Sequence, residues 1–152
     1  KECNVKQNLA ALIDRFGIES ENFYEQINVR DQDAWLILNH APRIFDEERI
    51  AFEGGVMGEC HAGAAYLCLE NPNWQMCFGI AEWGECVTEW GLHSWCLDSS
   101  GNLVEPTPLI RNRYIGIIVP DKIKLAYIWG ELGTIKQKLD TDLDYRVAYS
   151  AF

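Results

Sequence analysis

Basic residues are scarce in this chain. Thirteen lysines and arginines stand against 23 aspartates and glutamates, a formal net charge of −10 over 152 residues. Nucleic-acid binding draws on lysine and arginine to neutralise phosphate, and no basic cluster is present to do it. Arg111 and Arg113 come nearest, and two arginines so placed read as a solvated strand edge. Long apolar runs are also missing. Tyr114 to Val119 falls far short of the ~20 residues that span a bilayer, so no membrane partner is expected. There is no Cys-x-x-Cys pair, internal repeat, linker or low-complexity segment. The chain begins at Lys1 with neither a methionine nor a signal-like apolar stretch, the expectation for an N-terminus that was processed or lies further upstream.

What is present fits one domain spanning 1–152, with nearly half of its residues apolar (48%), which excludes a disordered or fibrous chain. Six cysteines (Cys3, Cys60, Cys68, Cys77, Cys86, Cys96) make an even number, but the chain is too long to be a small disulfide scaffold. Cys68 and Cys77 lie in apolar contexts, where a thiol behaves as a small core residue. A reducing, cytoplasmic setting is the simpler expectation, although an even count also permits disulfides.

The spacing of Val5, Leu9, Leu12, Ile13 and Phe16 predicts a helix over Asn4 to Phe16, stopped by Gly17. Ala34 to Leu38 fits a short helix or a buried strand, and Arg43 to Phe52 a strand pair or an irregular approach. Glu59 to Leu69 predicts a helix with Ala62, Ala65, Tyr66 and Leu69 on its apolar face, ended by Asn71-Pro72. Strands follow at Gln75 to Trp83, Leu92 to Asp98, Asn102 to Glu105 and Tyr114 to Val119, with Ser99-Ser100-Gly101 as a hairpin turn. Asp121 to Leu139 reads as partly helical, interrupted at Gly130 and Gly133, and Tyr145 to Phe152 as a closing strand. The expected class is α+β, helices first and antiparallel strands after.

The chemistry concentrates in Gly58-Glu59-Cys60-His61, His93-Ser94-Trp95 and Glu105-Pro106-Thr107. A cysteine at a helix N-terminus sits where backbone N–H groups and the macrodipole favour the thiolate. The N–H of that residue is also placed to stabilise an oxyanion. A histidine on a strand can take the thiol proton, and a carboxylate can fix its tautomer. Asp98 and Glu105 compete for that last role. Asp98, five residues after His93, points to the other face of a regular strand. If Asp98 lies opposite Asn102 across a three-residue turn, His93 faces Thr107 and Glu105 is its diagonal neighbour on the same face. A one-residue slip would turn Glu105 away. Glu105 is therefore the expected partner, provided that register holds.

Together, Gly-x-Cys-x-x-x-Ala opening a helix, His-Ser-Trp on a strand and Glu-Pro-Thr after a turn resemble the transglutaminase-like branch of the papain-like cysteine-enzyme superfamily. There the pattern is usually Gly-x-Cys, His-Ala-Trp and Asp-Pro-Thr. The match covers about residues 54 to 108. It implies a papain-like fold with the nucleophile helix packed on an antiparallel sheet. It also implies Cys60 as nucleophile, His93 as base and acid, Glu105 as orienter, no cofactor, and a peptide or protein substrate. Two departures stand out: Glu105 replaces aspartate and adds a methylene, and Ser94 replaces alanine. Trp95 is expected beside the site, and Trp83 is a second candidate to meet a substrate.

The second oxyanion donor has no clear bearer among Trp74, Trp83, Trp90, Gln32 and Asn39, each of which also reads as packing or loop capping. Cys60-His61 and His93-x-x-Cys96 hold ligand types for zinc. However, neighbours on a helix diverge, and His93 and Cys96 point to opposite faces of a strand, so no metal is expected. His40 reads as a surface or capping residue. The expected activity is cysteine-dependent acyl transfer, as a hydrolase, deamidase or transferase. The competing reading is a catalytically silent papain-like fold serving as a protein-binding module.

Overall fold

The longest buried segment is Gln75–Trp83, in which seven successive residues after Gln75 are buried. Such a run without polar alternation marks a strand covered on both faces. A computed structural model places it at the centre and describes residues 7–19, 29–86 and 88–132, with the backbone alone for 129–132. In chain order the elements are α1 (Gln7–Phe16), α2 (Asp31–Leu38), β1 (Arg43–Ile44), β2 (Arg49–Ala51), α3 (Cys60–Glu70), β3 (Gln75–Trp83), β4 (Glu89–Leu97), β5 (Leu103–Glu105), β6 (Arg113–Ile118) and α4 (Asp121–Leu132). The class is α+β.

The strands form one sheet in the order β1-β6-β3-β4-β5-β2. Most pairs are antiparallel, as expected, but β2 runs parallel to β5, with Arg49 beside Leu103 and Ala51 beside Glu105. This departs from a purely antiparallel sheet. The reason is connectivity: β2 precedes α3 and reaches the far edge as a separate strand instead of through a hairpin. Helices also lie on both sides of the strands in sequence, with α4 following β6.

Alternation along the strands divides the core. Met76, Phe78, Ile80, Cys96, Val104, Ile115 and Ile117 join the four helices in one cluster. Cys77, Ala81, Trp95, Leu97, Leu103 and Tyr114 meet Phe45 in a second cluster on the opposite face. The sheet is curled around that second cluster. In a flat sheet β5 and β6 would be about 14 Å apart, three strand spacings, yet Tyr114 on β6 donates a hydrogen bond to Glu105 on β5. Gly79 on β3 and Gly116 on β6 pair where the two backbones approach closely. A Cβ on Gly79 would lie 2.1 Å from the Ile115 carbonyl oxygen, and one on Gly116 2.3 Å from that of Phe78.

One open local reading is resolved and others are corrected. Ala34 to Leu38 is helical, within a helix whose first turn carries Asp31 and Asp33, acids that complement the positive N-terminal dipole. Asp31 also accepts hydrogen bonds from the Asn8 and Leu9 N–H groups (2.8 and 3.0 Å), capping α1 from outside. On α3 the buried side is Cys60, Ala64, Ala65, Leu67 and Cys68, whereas Tyr66 is exposed. The sheet presents Ser94 and Cys96 to this helix, and they draw in the small and sulfur-bearing side chains rather than the tyrosine. Gly130 does not interrupt α4, whose backbone continues to Leu132. Asn4 and Val5, the end of the last helical segment and the closing strand at 145–152 lie outside the described residues. So does Cys3.

Candidate active site

β4 and β5 pair at Cys96–Val104 and Leu97–Leu103, and the Asp98 N–H donates to the Asn102 carbonyl at 2.9 Å. This is the register that puts Glu105 on the His93 face. The Asp98 side chain instead closes the turn, where its Oδ1 accepts the N–H groups of Ser100 (2.9 Å) and Asn102 (2.8 Å). Gly101 takes the left-handed conformation that the turn needs (φ 83°).

Beyond Glu105 the chain leaves the sheet, so the β4 edge alongside His93 has no β5 residue paired to it. The start of α3 approaches there. A Cβ on Gly55 would lie 2.0 Å from the Pro106 carbonyl oxygen, and one on Gly63 would lie 3.2 Å from Pro106 Cβ. Gly58, with φ 83°, makes the turn into the helix. Cys60 is its first residue, and no side chain caps the helix start. The first backbone N–H groups are thus uncommitted to a capping side chain, as an oxyanion would require.

His93 Nε2 donates to Glu105 Oε1 at 2.7 Å, with both groups buried. Nδ1 is the nitrogen left to face the thiol, and Cys60 lies close enough to His93 to raise its pKa. Glu105 receives three further bonds: Tyr114 Oη at 2.6 Å on Oε1, and Thr107 Oγ1 (2.8 Å) and N (3.0 Å) on Oε2. Four donors match the four acceptor positions of a carboxylate, which is how a fully buried charge is accommodated. Trp95 and Tyr114 wall the imidazole at ring-centroid distances of 6.2 and 6.0 Å.

The electrostatics follow from this packing. Burial pushes the Cys60 thiol up. Hydrogen bonds from His61 and His93 and their charges outweigh it, bringing the pKa to about 5. Burial lowers that of His93, but the bonds to Cys60 and Glu105 raise it above the ordinary imidazole value. Glu105 is pushed up by burial and held below the usual range by His93, Tyr114 and Thr107. The balance favours thiolate with imidazolium. Other thiols differ: burial holds Cys77 and Cys96 well above the ordinary value. The Cys68 thiol is lowered by its hydrogen bond to Cys96 (3.1 Å), but it is sealed in the core.

All three expected catalytic residues therefore converge. Of the two tryptophans expected to meet a substrate, Trp95 has no exposed surface and packs edge-on against Phe45 and Tyr114, so it positions His93 instead. Trp83 is partly exposed and covers Gly91, whose added Cβ would lie 3.1 Å from its ring. Asn39 donates to the Trp35 carbonyl and His40 meets that of Leu36 (2.6 Å), both at the end of α2. Cys96 bonds the Ala64 carbonyl on the helix side of the sheet. Among the described residues no three His, Cys, Asp or Glu side chains group to hold a metal, and no helix is long and apolar enough to cross a membrane.

Three contributors escaped sequence reasoning. His61, weighed only as a zinc ligand, turns Nδ1 to Ser94 Oγ (2.6 Å) and flanks the thiol. Its place directly after the cysteine was the available signal. Thr107 was visible as the last residue of Glu-Pro-Thr. Tyr114 had no signal, because only the curl of the sheet brings it to Glu105. No protein-family model matches the chain, and neither a curated protein nor a solved structure does.

Proposed function

We propose that the protein is a cysteine-dependent acyl-transfer enzyme of papain-like, transglutaminase-like architecture. The single observation that carries this reading is the buried Cys60–His93–Glu105 arrangement, with the thiol pKa brought to about 5 against the effect of burial. The Cys60 thiolate attacks an amide or ester carbonyl, forming the C–S bond and an oxyanion at the uncapped start of α3. The intermediate collapses as His93 gives its Nδ1 proton to the departing amine or alcohol, leaving a thioester on Cys60. His93, neutral again, takes a proton from water or an amine that attacks the thioester, and the thiolate is released. Glu105 keeps the imidazole in the tautomer and orientation that both steps use. A peptide or protein amide is the default substrate. Val56 and Met57, both more than half exposed just before the nucleophile, offer an apolar lip for its side chains.

The test is an activated peptide ester followed by intact-mass and peptide mapping. Acyl transfer predicts an adduct on Cys60 that builds faster than in His93→Ala and is absent in Cys60→Ala. An adduct spread over all cysteines, or one forming equally in His93→Ala, contradicts it and returns the fold to the role of a binding module.

A further inference from the structure

Arg111 is not the solvated strand-edge residue its sequence suggested. It keeps only 9% of its surface. Its Nη1 donates to the Leu109 carbonyl at 2.9 Å, and its guanidinium lies 5.6 Å from the centre of the Trp83 ring. Nε is buried without a hydrogen-bond partner. The ion pairs of the described residues join Arg30 to Asp33, Arg43 to Glu47, His93 to Glu105 and Arg113 to Glu82. None of them includes Arg111. A buried charge without a counter-charge is costly and is retained where something offsets it.

Its position says what that something is. The Arg111 N–H donates to Tyr114 Oη at 2.9 Å, and Tyr114 donates to Glu105, so Arg111 adjoins the His93–Glu105 network. Trp83, under the guanidinium, covers Gly91. Gly91 lies on the same face of β4 as His93, one strand repeat or about 7 Å away. The floor between them is small, because Gly91 pairs with Ala81 and His93 with Gly79. Glu89, opposite Trp83 on that face, is exposed at the rim. Leu109 occupies Nη1, which leaves the Nε–Nη2 edge, the edge a carboxylate engages with two parallel hydrogen bonds.

We propose that this edge of Arg111, backed by the Trp83 ring, is an anion subsite that receives a carboxylate of the acyl donor, either an acidic side chain or a C-terminal carboxylate. The proposal rests on the thioester reading above and names its substrate class. Because the chain as a whole carries −10, long-range attraction does not bring the anion in. Selection is local, through contact with one desolvated cation.

Three maleimides of matched size test it. One carries glutamic acid α-amide (side-chain carboxylate), one glutamine with a free α-carboxylate (C-terminal carboxylate) and one glutamine amide (neutral). Rates of Cys60 modification are compared in wild type, Arg111→Met and Arg111→Lys. The expected result is that one anionic probe reacts about tenfold faster than the neutral one in wild type, the size of a charge-assisted contact. That probe identifies the carboxylate source. The ratio falls to about one in Arg111→Met and is partly kept in Arg111→Lys. Both anionic probes reacting no faster than the neutral one in wild type overturns the subsite without need of any variant. So does a preference that survives in Arg111→Met. If Cys60 reacts with the neutral probe no faster than the other cysteines, it is the thioester reading that fails instead.

Discussion

Tyr114 and Glu105 belong to strands separated by two others, yet Tyr114 Oη donates to Glu105 Oε1 at 2.6 Å, on the oxygen that also accepts His93. The tyrosine therefore helps hold the carboxylate ionised and aimed. Burial and the adjacent Glu105 charge push the Tyr114 pKa far above its ordinary value, so the phenol stays a donor. Tyr114→Phe removes one donor to a buried charge, a loss of about 1.5–3 kcal/mol. The expected outcome is at least a tenfold slower acylation of Cys60, measured by rapid-quench mass analysis, in a protein that still folds.

Glu105 stands where the resembled pattern has aspartate. Its longer reach matches this backbone, with the carboxylate 2.7 Å from His93 and held from behind by Thr107. Glu105→Asp draws the carboxylate back by about 1.5 Å, one C–C bond, which breaks that contact. Acylation is expected to fall about tenfold or more, and Glu105→Gln to fall further because the charge is lost. An aspartate variant as fast as wild type would show that the contact does not orient the imidazole.

His61 lowers the thiol pKa beside His93. His61→Gln and His93→Gln should therefore each move the onset of thiolate reactivity to higher pH, and only His93→Gln should also remove the proton donor. The check is the pH dependence of Cys60 alkylation in each variant.

The same shifts set a pH-dependent stability. The Cys60 pKa is about 5 in the folded chain against an ordinary 9.0. A depressed pKa contributes stability that is complete above the unfolded value and lost as pH falls through the folded one. His93 is raised, so its contribution is complete below 6.5 and lost as pH rises through its folded value. Between pH 5 and 6.5 the cysteine contribution is the largest that changes. There the wild type should gain about 1–2 kcal/mol over Cys60→Ala, at 1.36 kcal/mol per pH unit. Denaturant melts at the two pH values measure it, and a gap that narrows with rising pH contradicts the thiolate assignment.

Gly55 and Gly54 offer a packing contrast. A Cβ on Gly55 meets backbone at 2.0 Å, whereas one on Gly54 meets the end of the Phe52 ring at 3.1 Å. Gly55→Ala is expected to cost about 1–3 kcal/mol as overpacking and to displace α3 from Pro106, slowing Cys60. Gly54→Ala should be near neutral in both thermal melts and labelling rate.

What the sequence made legible was local or counted along one turn. The three-residue turn set the Asp98–Asn102 register, and with it the choice of Glu105 over Asp98. β3 was readable as a strand, with both its ends. Tyr114, Arg111 and the buried side of α3 were not readable, because each depends on the strand order and curl of the sheet. The parallel β2–β5 pair was hidden for the same reason: β2 is three residues long, and its partner is set by where α3 returns the chain. His61 was visible, but its partner Ser94 stood out only as the residue facing away from His93. That is the side from which α3 packs.

The central claim is that Cys60 is a thiolate at neutral pH because His61 and His93, the latter held by Glu105, sustain it. Iodoacetamide labelling of Cys60 against the other cysteines, followed from about pH 4 to 9 by peptide mapping, tests this most directly. The expected Cys60 rate rises through a midpoint near 5 and exceeds that of every other cysteine at about pH 6. A Cys60 rate that rises only near pH 9, no faster than the others, would contradict it.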